Sequence, residues 1–329
     1  MSTTTVVTTP RLTASSSRPP IPLVALVRAA FSDPNQRLSL FGAAASAVLL
    51  LGMFRPNLAH FLLVWSTDEN YSHGFLVPLI SLYFANEAAR RGPVPQRSAV
   101  GLGTVLILSS ILGRLATVLI PVGFIGDLSF IVGLTGIAAI LFGLGSVKRY
   151  GFALFFLIFM IPLPVALYAK IASPLQLSVS RIATALLNLS GIPALCEGNM
   201  ITLPGDNKMF VAEACSGMRQ LTGFLALTAA WAYLTARPLW YRGLLVASSI
   251  PIAMTANVVR VTLTGAITYR LDPKYASGAF HTAEGLLMMG FGLFLLTLEC
   301  RLLDAVAGFS ASTASKPPAT NSTTPPPGV

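Results

Sequence analysis

Three chemically capable side chains lie at the ends of apolar stretches in the C-terminal half of the chain. Cys215, in EACSGMRQL, comes just before an apolar stretch from about Leu221 to Leu234. Arg260 lies inside the next apolar stretch, and His281 lies just before the last one. A thiol, a fixed cation and an imidazole are the parts of a thiol acyl-transfer site. Polar groups at the edge of a membrane span are costly and are usually functional.

Each of these residues also has a simple structural explanation. A free cysteine can pack as a small hydrophobe, an arginine can extend to the membrane interface, and a loop histidine is often an ordinary surface residue. The neighbours of Cys215 favour chemistry instead, because Ser216 and Gly217 are small and leave the thiol approachable. A helix that starts there would also lower the pKa of the thiol by stabilising the thiolate.

The polar neighbours extend the candidate site. Arg219 follows Cys215 by one helical turn, so it could add positive field or bind a substrate carboxylate. Asn257 lies three residues before Arg260 and shares its helix face, which makes Asn257 a candidate for substrate binding. Arginine keeps its charge at any working pH, so Arg260 suits an oxyanion clamp better than a general base. Histidine can accept the thiol proton and later protonate the leaving amine, which is the role we assign to His281.

A second polar cluster occurs in WSTDENYSHGFLVPLIS at 65–81. Its spacing does not match known metal-binding motifs, and we predict neither a metal nor a cofactor for this protein. We interpret the cluster as a loop lining the substrate entrance, in which Tyr71 and His73 bind substrate. An alternative for Cys215 is a disulfide with Cys196, which an oxidising compartment would allow.

The composition indicates a membrane protein. Hydrophobic residues make up 54% of the chain, charged residues only 10%, and the mean hydropathy is +0.72. Soluble domains carry roughly 25% charged residues, and a span needs about 20 mostly apolar residues. We therefore predict an all-α membrane protein with about eight transmembrane helices, at 38–54, 73–86, 99–120, 123–145, 151–168, 217–235, 243–268 and 283–300.

The distribution of lysine and arginine predicts the orientation in the membrane. With a cytoplasmic N-terminus, the segments assigned outside carry few basic residues, namely Arg55, Lys170, Arg181, Lys208, Arg270 and Lys274. The net charge of +10 is then mainly a signal of topology and does not call for nucleic acid as a partner. This orientation places Cys215, Arg260 and His281 on the extracytoplasmic side of a multi-pass protein in the cytoplasmic membrane.

Three regions follow along the chain. Residues 1–37 and 307–329 are predicted to be disordered cytoplasmic tails, and 38–306 forms the transmembrane domain. Within it, 169–214 is the longest stretch outside the predicted spans. Its first part predicts an interfacial amphipathic helix. Its second part predicts a small hairpin around the turn sequence PGDN, which leads into the cysteine.

Several motifs resemble the exosortase/archaeosortase family of polytopic membrane transpeptidases. They are YSHGFLVPLISLY at 71–83, PLQLSVSRIATALLNLSGIPALCEGNMITLP at 174–204, EACSGMRQL, NVVR at 257–260 and HTAEG at 281–285, in family order. The resemblance implies that Cys215 is the nucleophile, with Arg260 and His281 as its partners, and the histidine is typical of the bacterial exosortase branch. It also implies substrates that are secreted proteins with a C-terminal signal, made of a short motif such as PEP, a hydrophobic span and a basic tail.

Two other classes of function remain open from the residues alone. A transporter or channel would use the buried polar groups as a permeation path and would not need a free thiol. A membrane acyltransferase that modifies lipids would usually depend on an intramembrane histidine. Loss of activity on replacing Cys215 would separate the transpeptidase from both. The sequence leaves open whether the acceptor is water or a nucleophile on a lipid or glycan.

Overall fold

The computed structural model describes residues 34–91, 99–120, 123–205, 207–211, 218–270 and 279–308. It is 83% helical, which confirms the all-α class. Cys215 lies outside the described residues, as do the greater parts of both predicted tails. The backbone positions of Arg219 and His281 belong to described helices, but their side chains do not belong to the described part.

The N-terminal half consists of helices around a core of aromatic side chains. In chain order they are α1 (Pro34–Met53), α2 (Arg55–Thr67), a 3₁₀ helix (Glu69–Phe75), α3 (Leu76–Ala89), α4 (Val100–Leu119) and α5 (Gly123–Phe156). Phe54, Phe61, Phe84, Phe130 and Phe156 are buried in one cluster. Gly143 interrupts α5 with φ 77°, a conformation that glycine adopts without steric cost, so the helix is kinked there.

The C-terminal half contains a small sheet and the helices that carry the candidate site. In chain order it comprises a second 3₁₀ helix (Leu157–Met160), α6 (Val165–Leu189), β1 (Leu195–Glu197), β2 (Met200–Leu203), β3 (Asn207–Phe210), α7 (Met218–Leu234), α8 (Leu239–Ala247), α9 (Ser249–Arg270) and α10 (Ala279–Val306). Helix α9 packs against α6, α7 and α10. It therefore forms the centre of this half.

The prediction of eight spans is not confirmed. Within the described residues, three helical stretches are long and apolar enough to cross a membrane, at 100–117, 123–140 and 239–270. The number rises to five if two bent pairs each form one span. One pair joins α1 to α2 at 68°, and the other joins the end of α5 to α6 at 80°.

The physical reasons for the difference are helix length and helix interruption. The predicted span 73–86 contains the end of a 3₁₀ helix, and α3 has only 14 residues. The predicted span 151–168 is broken between Met160 and Val165, where the sequence is IPLP. Proline lacks an amide hydrogen and disfavours helix in the residue before it, so the chain bends at this point.

The predicted amphipathic helix and hairpin are both present as secondary structure. Helix α6 begins at Val165, slightly before the predicted segment, and buries Ala172, Val179, Ala183 and Leu187 on one side. Strands β2 and β3 pair antiparallel across the PGDN turn, and β1 adds a third strand beside β2. Gly205 in the turn has φ 82°, which favours glycine.

The sheet packs on α6 and α9 rather than standing apart from the helices. Ile201 and Leu203 of β2 are buried in a cluster with Val258 and Val261 of α9. The α6 residues Val179, Ala183 and Leu187 belong to the same cluster. The hairpin thus holds the chain against α9 just before the segment that contains Cys215.

Candidate active site

Two polar residues lie buried on α9. Asn257 is fully buried and Arg260 is 4% exposed, and both belong to an otherwise apolar part of the helix. Their spacing of three residues places them on the same side of the helix. Removing a guanidinium from water costs several kcal/mol, so a buried arginine usually has a structural or functional role that offsets this cost. This pair is the strongest polar feature among the described residues of the C-terminal half.

A small cavity links Asn257 to α6 and α7. Its lining includes Leu175 and Val179 of α6, Leu221 of α7 and Asn257 of α9. Leu221 lies in the first turns of α7, only a few residues after Cys215. The described chain that follows the cysteine therefore packs at the level of Asn257.

The described chain that precedes the cysteine packs at the same place. Val211 is 1% exposed and belongs to the cluster that contains Val258 and Val261. Its amide donates a hydrogen bond of 2.8 Å to the carbonyl oxygen of Asn199, which extends the contact with the sheet. The residues on both sides of 212–217 thus lie against the stretch of α9 that carries Asn257 and Arg260.

A hydrogen bond sets the register between α9 and α10. The Ser248 hydroxyl donates to Oε2 of Glu299 at 2.6 Å. The two helices run in opposite directions, and each residue advances a helix by about 1.5 Å. Counting from this bond, Arg260 lies at about the level of Leu287. The backbone position of His281 is then about 9 Å beyond Arg260 along the helix axis, since six residues separate 281 from 287.

Helix α10 also meets α7. Gly292 lies so close to the Phe224 ring that any side chain there would collide with it. The positions 281, 288 and 292 share one side of a helix because they are separated by seven and four residues. Met288 is 2% exposed, as expected for the same buried side. The backbone position of His281 therefore lies on the side of α10 that faces α7.

The second polar cluster of the sequence is folded into a clamp, which we define as residues 65–75 together with 157–163. The Trp65 indole donates to the carbonyl oxygen of Met160 at 2.9 Å, and the Leu163 amide donates to the Tyr71 hydroxyl at 3.1 Å. The His73 Nε2 atom lies 3.1 Å from the carbonyl oxygen of Phe159. The bonds of Tyr71 and His73 tie the first 3₁₀ helix to the segment before α6, and the bond of Trp65 ties the end of α2 to the same segment.

Burial changes the acid–base properties of Tyr71 and His73 in the clamp, and both residues lie outside the candidate spans. Burial raises the pKa of the Tyr71 hydroxyl, which keeps this group neutral. Burial lowers the pKa of His73, although its hydrogen bond to Phe159 opposes that shift. The 3₁₀ helix also packs against α7, so the clamp adjoins the helix that follows Cys215. A role in substrate binding for Tyr71 and His73 stays a prediction.

Comparison of the sequence with known protein families identifies the family of this chain. Residues 65–298 match the transmembrane exosortase family (Exosortase_EpsH), and the match covers well over half of the chain. The chain belongs to the transmembrane exosortase family. No curated protein and no protein of solved structure shows a detectable match to it. Membership suggests a membrane sorting transpeptidase and supports a multi-pass membrane protein.

The matched range of the exosortase starts at Trp65 in the clamp and ends inside α10. It therefore contains the predicted nucleophile, both of its predicted partners and the clamp. In the part of the chain that the structure describes, no three His, Cys, Asp or Glu residues are grouped closely enough to hold a metal ion. The Cys196 thiol lies 3.3 Å from the carbonyl oxygen of Gly198, and the disulfide considered from the sequence involves Cys215, which is not described.

One residue of the exosortase received no role in the sequence analysis. Gln220 is the third residue of α7, directly after Arg219. Neither polar atom of its amide is accessible to solvent, and neither has a hydrogen-bond partner among the described residues. The sequence signal was its place beside Arg219 at the start of an apolar stretch, but the sequence alone cannot show that the amide is buried.

Proposed function

We propose that this exosortase is a cysteine transpeptidase that cleaves C-terminal sorting signals of secreted proteins and transfers the product to an acceptor. The observation that carries the proposal is the burial of Arg260 and Asn257 beside the chain on both sides of the Cys215 segment. A buried cation near a thiol is suited to bind an oxyanion. Membership of the transmembrane exosortase family supports this reaction class.

The reaction divides into two transfers of the acyl group. The Cys215 sulfur attacks the scissile carbonyl carbon, and His281 takes the thiol proton. When the tetrahedral intermediate collapses, the bond from carbon to nitrogen breaks and His281 returns the proton to the leaving amine. This leaves a thioester between the substrate and Cys215. Water or an acceptor amine then attacks the thioester and gives up a proton to His281. The bond from carbon to sulfur breaks, and His281 passes the proton to the departing sulfur, which restores the thiol.

The remaining predicted residues position charge and substrate. Arg260 stabilises the negative oxygen of each tetrahedral intermediate, because a guanidinium is charged at every relevant pH. Arg219 adds positive field near the thiol or binds a substrate carboxylate. Asn257 binds the substrate chain, and the clamp that contains Tyr71 and His73 lines the substrate entrance. The register of α10 supports this arrangement, since position 281 lies on the side that faces α7.

We further propose that the protein lies in the cytoplasmic membrane with this site on its extracytoplasmic face. A reporter that works only outside the cytoplasm should be active when fused near Asn207 or Asp272. It should be inactive when fused near Gly92, Ser146 or Pro238. The reversed pattern would place the predicted nucleophile in the cytoplasm and would contradict the proposal.

The nucleophile provides the decisive test. The substrate is a co-expressed reporter that ends in a PEP motif, an apolar span and a basic tail. Cys215→Ala should abolish its cleavage while the protein level and membrane insertion stay normal. Cys215→Ser should be nearly as inactive, because a hydroxyl ionises far less than a thiol near neutral pH. Full cleavage by Cys215→Ala would favour a transporter or a lipid-modifying acyltransferase instead.

A further inference from the structure

The buried amide of Gln220 is a polar group for which the fold has no evident use. Its Oε1 and Nε2 atoms are both inaccessible to solvent and unpartnered among the described residues. Leaving a buried donor or acceptor without a partner is costly, and such groups are rare in native structures. An isosteric apolar side chain would avoid that cost, so the amide needs another explanation.

The position of Gln220 on α7 can be read from its helical neighbours. Phe224 follows one turn later and packs against Gly292 of α10. Residues four apart share a helix face, so Gln220 lies on the side of α7 that meets α10. One turn before Gly292 on α10 is Met288, which is buried. Arg237, just beyond the end of α7, pairs with Asp304 near the end of α10, so the two helices run in the same direction and Gln220 lies at about the level of Met288.

The same level contains the buried arginine of α9. Counting from the bond between Ser248 and Glu299 places Arg260 opposite about Leu287, next to Met288. Leu221, the residue after Gln220, lines the cavity that Asn257 also lines. Three polar side chains from two helices thus lie at one depth of the bundle, close to the described residues that flank the Cys215 segment.

The side-chain amide of Gln220 offers a donor group, its NH2, next to an acceptor, its carbonyl oxygen, and this combination defines the class of ligand. A peptide main chain presents a carbonyl oxygen and an amide hydrogen, which a carboxamide can bind together. An extended peptide next to a scissile bond presents these groups without an internal partner. A lone anion would satisfy only the donor, and a lone cation would satisfy only the acceptor.

We propose that Gln220 is a substrate-binding residue that pairs both atoms of its amide with the peptide main chain of the sorting signal beside the scissile bond. This inference rests on the proposed function and adds a residue to that site. In the free enzyme the amide has no partner among the described residues, so both of its polar atoms are ready for the substrate. The unpartnered amide lowers the stability of the folded enzyme but strengthens substrate binding, a trade-off that is common in active sites.

The test is Gln220→Met, which keeps the length of the side chain and removes both hydrogen-bonding atoms. Cleavage of the PEP-tailed reporter by purified protein in nanodiscs should show KM raised about tenfold or more, since one to two hydrogen bonds are lost. The melting temperature should be equal to or above that of the wild type, because no hydrogen bond within the described protein is removed. A purely structural amide would give the opposite result, a lower melting temperature with unchanged KM.

Thr228→Val provides the matched control on the same helix. Thr228 is 1% exposed, and its hydroxyl already donates to the carbonyl oxygen of Leu225. This change removes a buried polar group of α7 two turns from Gln220, so it should leave KM unchanged. Wild-type KM in Gln220→Met, or an equal rise of KM in Thr228→Val, would overturn the inference.

A binding measurement keeps this inference distinct from the proposed function. The Cys215→Ala variant should retain uncleaved reporter on purification, and Cys215→Ala with Gln220→Met should retain about a tenth as much at limiting reporter concentration. Equal retention by the two variants would overturn the role of Gln220 while leaving the nucleophile in place. If Cys215→Ala still cleaved the reporter, the proposed function itself would fail.

Discussion

Two polar regions of this exosortase look alike in sequence and differ in what their polar atoms contact. In the clamp, the polar atoms of Trp65, Tyr71 and His73 each form a hydrogen bond with the backbone of 159–163. At the meeting of α7, α9 and α10, Arg260 and Asn257 are buried and the Gln220 amide lacks a described partner. The first region joins parts of the fold, whereas in the second the Gln220 amide has a donor group and an acceptor atom left for a ligand.

This difference predicts which property each region controls. Removing a polar atom that is paired within the protein leaves its partner unsatisfied and costs stability. Removing a polar atom that is reserved for a substrate costs binding or rate and can leave stability unchanged. Substitutions in the clamp should therefore lower the melting temperature, and substitutions between α7, α9 and α10 should lower activity.

The largest effect short of losing the nucleophile should come from Arg260. Arg260→Lys keeps the charge but loses the planar fork, so two-point binding of an oxyanion fails. Loss of one oxyanion donor costs on the order of 3 kcal/mol, or about a hundredfold or more in rate. The measurement is reporter cleavage by the purified variant, normalised to the folded fraction. Near-normal cleavage would mean that the buried arginine serves the fold, and the comparison with the clamp would fail.

The next effect separates the roles of His281 and Arg260. His281→Ala should be slow at pH 7 and should recover part of its acylation rate as the pH rises to about 9, because the thiol then ionises without a base. Arg260→Ala should show no such recovery, since an oxyanion still lacks its cation at high pH. Rates of thioester formation between about pH 6 and 9 provide the check. Parallel pH profiles for the two variants would contradict the division of roles.

A smaller effect is expected in the clamp. Tyr71→Phe removes the acceptor of the Leu163 amide and should lower the free energy of unfolding by about 1 kcal/mol. Its KM for the reporter should stay within about twofold of the wild type. Thermal melting in detergent measures the first quantity, and Tyr83→Phe is the control because Tyr83 is 52% exposed. A raised KM with normal melting would instead support the substrate-binding role predicted from the sequence.

Local patterns in the sequence predicted several elements of the fold. Hydrophobic spacing in the first part of 169–214 predicted the amphipathic helix that packs on α9, and PGDN predicted the turn between β2 and β3. The spacing of three residues also predicted that Asn257 and Arg260 lie on the same face of one helix. Each of these inferences depends on residues within a few turns of one another, where periodicity is informative.

Features that depend on distant contacts could not be predicted in this way. The number of spans differs because α1 and α2, and α5 and α6, bend between helices that are apolar on both sides of the break. The partners of Tyr71 and His73 lie more than eighty residues away along the chain. The pairing of these side chains with the backbone of 159–163 therefore could not be predicted from the local sequence around them.

The smallest predicted effect is a pH dependence of stability that arises in the clamp. Burial lowers the pKa of His73, so the folded protein favours the neutral ring. The same histidine in the unfolded chain takes a proton below about pH 6.5. Its contribution to stability is therefore present above about pH 6.5 and is lost as the pH falls toward the lower pKa of the folded state.

His73→Gln should remove that dependence while keeping a donor for the carbonyl oxygen of Phe159. Between pH 7.5 and 5.5 the melting temperature of the wild type should fall further than that of His73→Gln. The exposed His60 gives the control, since His60→Gln should follow the wild type. Cleavage of the reporter by His73→Gln at pH 7.5 should be close to normal, because the glutamine preserves the bond that joins the 3₁₀ helix to the bend before α6. If His73→Gln instead lost cleavage while its melting temperature stayed normal, His73 would belong with Arg260 and Gln220 among the residues that serve the substrate.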